Sequence, residues 1–158
     1  MKLVMATLVR FTMLDDDGAP VESWTCCNFL TELGEAHIAA RLAGTPTQMS
    51  HMAVGTGTGQ DATDQTLDTE VGRVALTATF PKQGTGAVDD DVGRAVRDNE
   101  VIYKATFPAG TGTGNVTEFA IFNASSGGVM LNYATGFSRV KGAGNSLLVA
   151  AVLTIGAS

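Results

Sequence analysis

The chain has 158 residues, one domain by size, long enough to bury roughly 70% of its unfolded surface in a single core without a disulfide or metal. Its 10 basic and 16 acidic residues give a net charge of −6, and the absence of any basic cluster argues against nucleic acid as a partner. No apolar run approaches the roughly 18 residues of a membrane span, and residues 1–14 lack the apolar centre and cleavage site of a signal peptide, so a soluble, cytoplasmically made protein is expected. Charged residues are only 16% of the chain, a low density for a lone monomer, which predicts that much of the surface faces other subunits.

Residues 3–14 read as an opening strand, with Leu3, Met5, Val9, Phe11 and Met13 on one alternation. The turn Asp15-Asp16-Asp17-Gly18 ends it; the carboxylates are not spaced as in a calcium loop, so no metal is assigned. A short returning strand is expected over 21–25. Cys26 and Cys27 are adjacent, which disfavours a bond between them and predicts two reduced thiols, at least one of them buried.

A helix is predicted over residues 26–43, capped by Thr25 or Asn28 and stopped by Gly44 and Pro46, with Phe29, Leu33, Ala36 and Ala40 as its apolar stripe. His37 falls inside it and His51 in the next strand; neither has a partner at a recognisable spacing, so both are read as structural.

From 49 onward the chain reads as strands and loops. Strands are expected over 49–54, 70–80, 94–107, 116–123, 129–137 and 147–155, with a hairpin turn at Ser125-Ser126-Gly127-Gly128. Two glycine-threonine blocks punctuate them and are the candidate structural loops: Gly55, Gly57 and Gly59 in the first, Gly110, Gly112 and Gly114 in the second. Neither block carries the lysine of a phosphate cradle or opens a helix, so no nucleotide or other cofactor is expected. The fold class is therefore mainly β, an antiparallel sandwich or jelly roll of about seven or eight strands with one α-helix in its N-terminal half. The organisation is an N-terminal strand or arm, residues 1–24, followed by a β-sandwich domain, residues 25–158.

No catalytic constellation assembles. The carboxylates fall in glycine-rich loops, except Glu118, which lies mid-strand between Val116 and Ala120 and requires a partner, for which Arg73 and Arg97 are the candidates. A nucleophile, base and acid at relay spacing are missing, so the chain is read as no enzyme. A sugar platform finds no support either, since the sole tryptophan, Trp24, precedes the predicted helix.

Several segments together resemble a family of virion proteins of tailed bacteriophages, the tail-fibre or collar-like β domains: Asn28-Phe-Leu-Thr-Glu-Leu-Gly34, Ile38-Ala-Ala-Arg-Leu-Ala-Gly44, His51-Met-Ala-Val-Gly-Thr-Gly-Thr58, Leu67-Asp-Thr-Glu-Val-Gly-Arg73, Tyr103-Lys-Ala-Thr-Phe-Pro108 and Thr117-Glu-Phe-Ala-Ile-Phe122. Small free-standing chains of this kind also look like head decoration proteins. The resemblance spans about residues 28–155 and implies a non-enzymatic β domain of the virion that assembles with copies of itself, without catalytic residues. Residues 3–14 and 81–93 look like additions to the family pattern, and no fibre shaft follows residue 155, which favours a capsid decoration or cement protein, seated as a homotrimer on the major capsid protein. A tail-fibre, baseplate or neck adaptor that binds other tail proteins is the alternative. The segment around Leu3, Met5, Val9 and Phe11 is the candidate assembly arm, expected to pair with a neighbour's edge strand.

Overall fold

The computed structural model describes residues 3–44 and 46–157. Two long strands found the architecture. β1 (Leu3–Leu14) pairs antiparallel along its whole length with β13 (Ser146–Ala157), placing Val9 opposite Ala151, Phe11 opposite Val149 and Met13 opposite Leu147. Its other edge, from Thr7 to Leu14, takes β2 (Pro20–Leu30). An Asx turn joins β1 to β2: Asp15 Oδ1 accepts the N–H groups of Asp17 and Ala19, at 3.0 and 2.8 Å.

The helix α1 (Glu32–Leu42) begins six residues later than the sequence predicts, because residues 26–30 continue β2. Its N-cap is Thr31, not Thr25 or Asn28. The Thr31 hydroxyl accepts from the Gly34 N–H at 2.8 Å and donates to the Met130 carbonyl at 2.5 Å, so one side chain caps the helix and ties it to the sheet. The expected apolar stripe is also corrected. Gly34 and His37 are the buried residues, whereas Leu33 is 36% exposed, Leu42 86% exposed and Phe29 stands on β2. Gly34 decides this: a Cβ there would collide with the Leu131 carbonyl, so its missing side chain lets the helix backbone lie directly on the sheet.

The remaining elements are β3 (His51–Gly55), β4 (Glu70–Ala75), β5 (Lys82–Gln83), β6 (Val88–Asp89), β7 (Arg94–Ala95), β8 (Glu100–Phe107), β9 (Gly114–Val116), β10 (Glu118–Phe122), β11 (Met130–Ala134) and β12 (Arg139–Lys141). Nine strands form one sheet in the order β4-β3-β10-β11-β2-β1-β13-β8-β5. The pairs β6-β7 and β9-β12 stand as small ladders beside it. The sheet curls until its first strand approaches its eighth, where the Thr77 N–H donates to the Lys104 carbonyl at 2.8 Å. The result is mainly β and sandwich-like, as the alternating pattern predicts.

Inside the curl lies the main core. Val9, Phe11, Phe107, Phe119, Ile121, Leu147 and Val149 are all fully buried there. Trp24, partly buried, stacks on Phe11 with ring centroids 5.0 Å apart and planes 6° from parallel, and so packs against this core. Two smaller apolar clusters lie outside the curl. Ala53, Leu67, Ala120, Phe122, Met130 and Tyr133 form one, under the 56–69 loop. Val92, Val96, Ile102, Ala150 and Val152 form the other, under the 84–99 excursion, with Phe80 against it. No helix among the described residues is long and apolar enough to cross a membrane.

Candidate assembly site

A buried charge needs partners, and in this protein the partners are loops. Glu118 opens β10 with no exposed surface. Its Oε1 accepts the N–H groups of Gly57, at 2.9 Å, and Thr69, at 2.8 Å; its Oε2 accepts that of Asp68 at 3.0 Å. One carboxylate thus gathers both ends of the 56–69 loop. The neighbouring Thr117 donates from its hydroxyl to the Gly57 carbonyl at 2.6 Å, and its N–H reaches the Gly55 carbonyl at 3.0 Å. The sequence shows that Glu118 needs a partner but not that the partner is backbone. Arg73 is engaged elsewhere: it pairs with Glu70 at 2.6 Å, donates to the carbonyls of Ala124 and Gly127, and lies 3.7 Å from the Phe122 ring centroid. Arg97 offers its backbone N–H to Glu100.

The carboxylates of the 56–69 loop are spent on the loop itself. Asp68 Oδ2 accepts from the Gly59 N–H at 2.5 Å, Asp64 Oδ2 from the Asp61 N–H at 2.6 Å, and Asp61 Oδ1 from the Thr63 N–H at 2.7 Å. Among the described residues no group of three His, Cys, Asp or Glu is disposed to hold a metal ion.

The two glycine-threonine blocks meet at one end of the sheet. Gly112, at φ +66°, faces Val54 so closely that a Cβ would press on its methyl group, and a Cβ on Gly114 would lie 3.5 Å from the Thr56 methyl. Gly110 is held through its N–H by the Ala143 carbonyl at 2.8 Å. Beneath it, the fully buried Lys141 donates to the carbonyls of Pro108 and Asn145, at 3.1 and 2.6 Å, while burial pushes its pKa down. Of the candidate structural loops, Gly112 and Gly114 thus lie against Val54 and Thr56 of the first block, Gly57 is fastened by Glu118, Gly59 lies against Asp68, and Gly110 is held by Ala143.

The 84–99 excursion has its own anchors, which the sequence reading missed. Glu100, 2% exposed, receives a two-pronged hydrogen bond from Arg94 at 2.8 and 3.0 Å, the Arg97 N–H at 2.8 Å and the Thr154 hydroxyl at 2.9 Å. The Arg94 guanidinium outweighs burial and holds the Glu100 carboxyl down at about 2. Four residues along β8, Lys104 Nζ sits 2.6 Å from Asp89 and 2.7 Å from Asp91. Burial opposes its charge, but the hydrogen bonds to Asp89 and Asp91 prevail and raise its pKa. The available signal was alternation: Glu100, Ile102 and Lys104 share one face of β8, opposite to Val101 and Tyr103.

The assembly arm needs correction. Val9 and Phe11 are wholly buried, Met5 packs against the same core, and β1 from Thr7 onward has a strand on each side. Only residues 3–6 keep an edge without a strand partner among the described residues. Met1 and Lys2 lie outside the described residues. The reason is length: twelve residues of alternating pattern are enough to match β13 completely, and intramolecular pairing carries no cost of bringing two chains together.

His37 is buried under α1, and burial, with Arg41 nearby, lowers its pKa. Ser50 Oγ lies 2.8 Å from His51 Nδ1, but among the described residues no carboxylate completes a relay, and burial and then Arg73 lower the His51 pKa. Cys26 and Cys27 are free; Cys27 is exposed, while Cys26 is half-buried and its thiol is pushed up to about 12 by burial and then by Cys27.

Several large apolar side chains stand in solvent: Phe29 at 60%, Val88 at 70%, Val140 at 73% and Leu42 at 86% exposure. Comparison with curated proteins and with solved structures finds no match. The family described as phage tail-collar fibre protein, N-terminal, matches residues 25–155, which takes in the helix, both glycine-threonine blocks and every anchor described above. The chain belongs to that family and is a structural protein of the tailed-phage virion.

Proposed function

We propose that the protein is a non-enzymatic adaptor of the phage tail, in the tail fibre, baseplate or neck, that docks on another tail protein and on copies of itself. The observation that carries this reading is the family match over residues 25–155, and it supports a tail position better than capsid decoration. The architecture is consistent with it. Buried anchors hold the loops on one curled sheet, which gives the rigidity that repeated docking requires, and the exposed apolar residues offer contact area. A homotrimer is the self-assembly proposed, with a tail protein as the second partner. Counting copies per purified virion by quantitative mass spectrometry tests the reading. A few to a few tens of copies are expected; a count approaching that of the major capsid protein would reject the tail and restore capsid decoration. Sedimentation of the purified protein tests the trimer.

A further inference from the structure

Between α1 and the ends of β8 and β13 the inner face of the curled sheet forms a groove of about 400 Å³, floored by Ile38, Met49, Tyr103, Leu131 and Leu153. Leu42, 86% exposed, and Ile155, 38% exposed, stand among its lining residues.

The charge around this groove is opposite to that of the molecule. The chain carries −6 overall, yet no Asp or Glu lines the groove, whereas Arg41 and Lys82 do. Arg41 donates one hydrogen bond to the Pro46 carbonyl at 2.7 Å and enters no ion pair among the described residues. That contrasts with Arg73, Arg94, Lys104 and Arg139, each of which meets a carboxylate. The groove is also bordered by β5, the last strand of the sheet, whose outer edge has no partner strand among the described residues. An apolar floor selects an apolar side chain, an unpaired guanidinium selects a carboxylate, and an open strand edge selects extended backbone. A fatty-acid anion would satisfy the first two but not the third.

We propose that this groove seats an extended segment of another tail protein, with an apolar side chain on the floor, an adjacent carboxylate on Arg41 and the backbone running along β5. The proposal rests on the adaptor reading and supplies the chemistry of its partner.

The test is selection of random twelve-residue peptides on the intact wild-type protein, with counter-selection on Arg41→Glu. Enriched peptides are expected to place Asp or Glu beside Leu, Ile or Phe. A synthesised winner should bind about tenfold more weakly to Arg41→Glu, weaken with rising salt, and shift the amide resonances of residues 38–42, 82–83 and 153–155. Leu42→Asp, at an exposed position, should also weaken it while leaving the fold intact. The proposal is overturned if no peptide is enriched, if winners bind Arg41→Glu equally well, or if the shifts fall elsewhere. Displacement of every winner by dodecanoate at lower concentration would assign the groove to a lipid anion. Self-association that Arg41→Glu abolishes would assign it to a second copy, and either result overturns the proposal. Because this binding is measured without the virion, its failure is distinct from a failure of the copy count.

Discussion

Two surface loops cover the two outer faces of the same sheet, and they are fastened by different physics. The 56–69 loop is held by one buried carboxylate that receives three backbone N–H groups. The 84–99 excursion is held by side-chain ion pairs, Arg94 to Glu100 and Lys104 to Asp89 and Asp91. Backbone donors belong to no particular side chain, so the first anchor asks of the loop only the glycines, Gly55 and Gly57, that leave room for the Glu118 carboxylate. The second depends on particular partners and on their ionisation. A loop fixed through its backbone is free to vary its outward side chains; a loop fixed through its charges is not.

The largest disruption would remove the frame that carries both loops. Deleting residues 1–11 takes Val9 and Phe11 out of the core and exposes the edges of β2 and β13. Each large apolar side chain lost costs about 1.5–3 kcal/mol, and the total, with the ladder, is comparable to the stability of a whole domain. We expect no cooperative thermal transition for the truncated chain. A folded truncation would show that β1 is an accessory.

Next comes Glu118→Ala, which takes the shared acceptor from three part-buried N–H groups and should cost on the order of 2 kcal/mol. Hydrogen exchange should accelerate in residues 56–69 and leave 84–99 unchanged. Equal acceleration of both loops would show that the anchors are not separate.

A smaller effect is the acid response of the second anchor. The Glu100 carboxyl is held near 2 in the folded protein, below the roughly 4.3 of an unfolded glutamate. Its stabilisation is therefore complete above about pH 4.3 and lost as the pH falls toward 2. Melting temperature measured over this range should fall less steeply in Glu100→Gln than in the wild type, because the variant has no charge left to lose. Parallel slopes would remove Glu100 from the acid response. The smallest effect is that of salt: at 1 M, exchange should rise modestly in 84–99, where Arg94 and Asp91 are partly exposed, and not in 56–69.

The pattern of apolar residues was enough to find β1, β8, β10, β11 and β13, and on β8 Tyr103, Ala105 and Phe107 are buried while Val101 on the same face is partly so. Strand length and helix start were less legible. Residues 26–30 fit either period, and only their neighbours decide for strand: β1 pairs with Cys26, Cys27 and Asn28, and β11 with Phe29 and Leu30. The single residue that sets the helix face, Gly34, looks in sequence like a weakness of the helix, while in space it is the point of closest approach. At the candidate site, the need of Glu118 for partners was readable, but not their kind, because three N–H groups from two separate strand ends leave no pattern in composition. Glu100 and Lys104 were overlooked although their partners Arg94, Arg97, Asp89 and Asp91 are near in sequence, because nothing in the pattern of residues 81–99 shows that this segment folds back over β8.

The pairing of Leu3 with Ala157 places the first and last described residues side by side at one end of an antiparallel ladder. Tension applied through both of them would act on that end pair first and peel the two strands apart one residue at a time, the weak geometry for a sheet. Tension entering through one of these residues and leaving through the groove or the loops would instead have to shear the long ladder as a unit. The direction of load, as much as the contacts, would then decide how much force such a domain transmits.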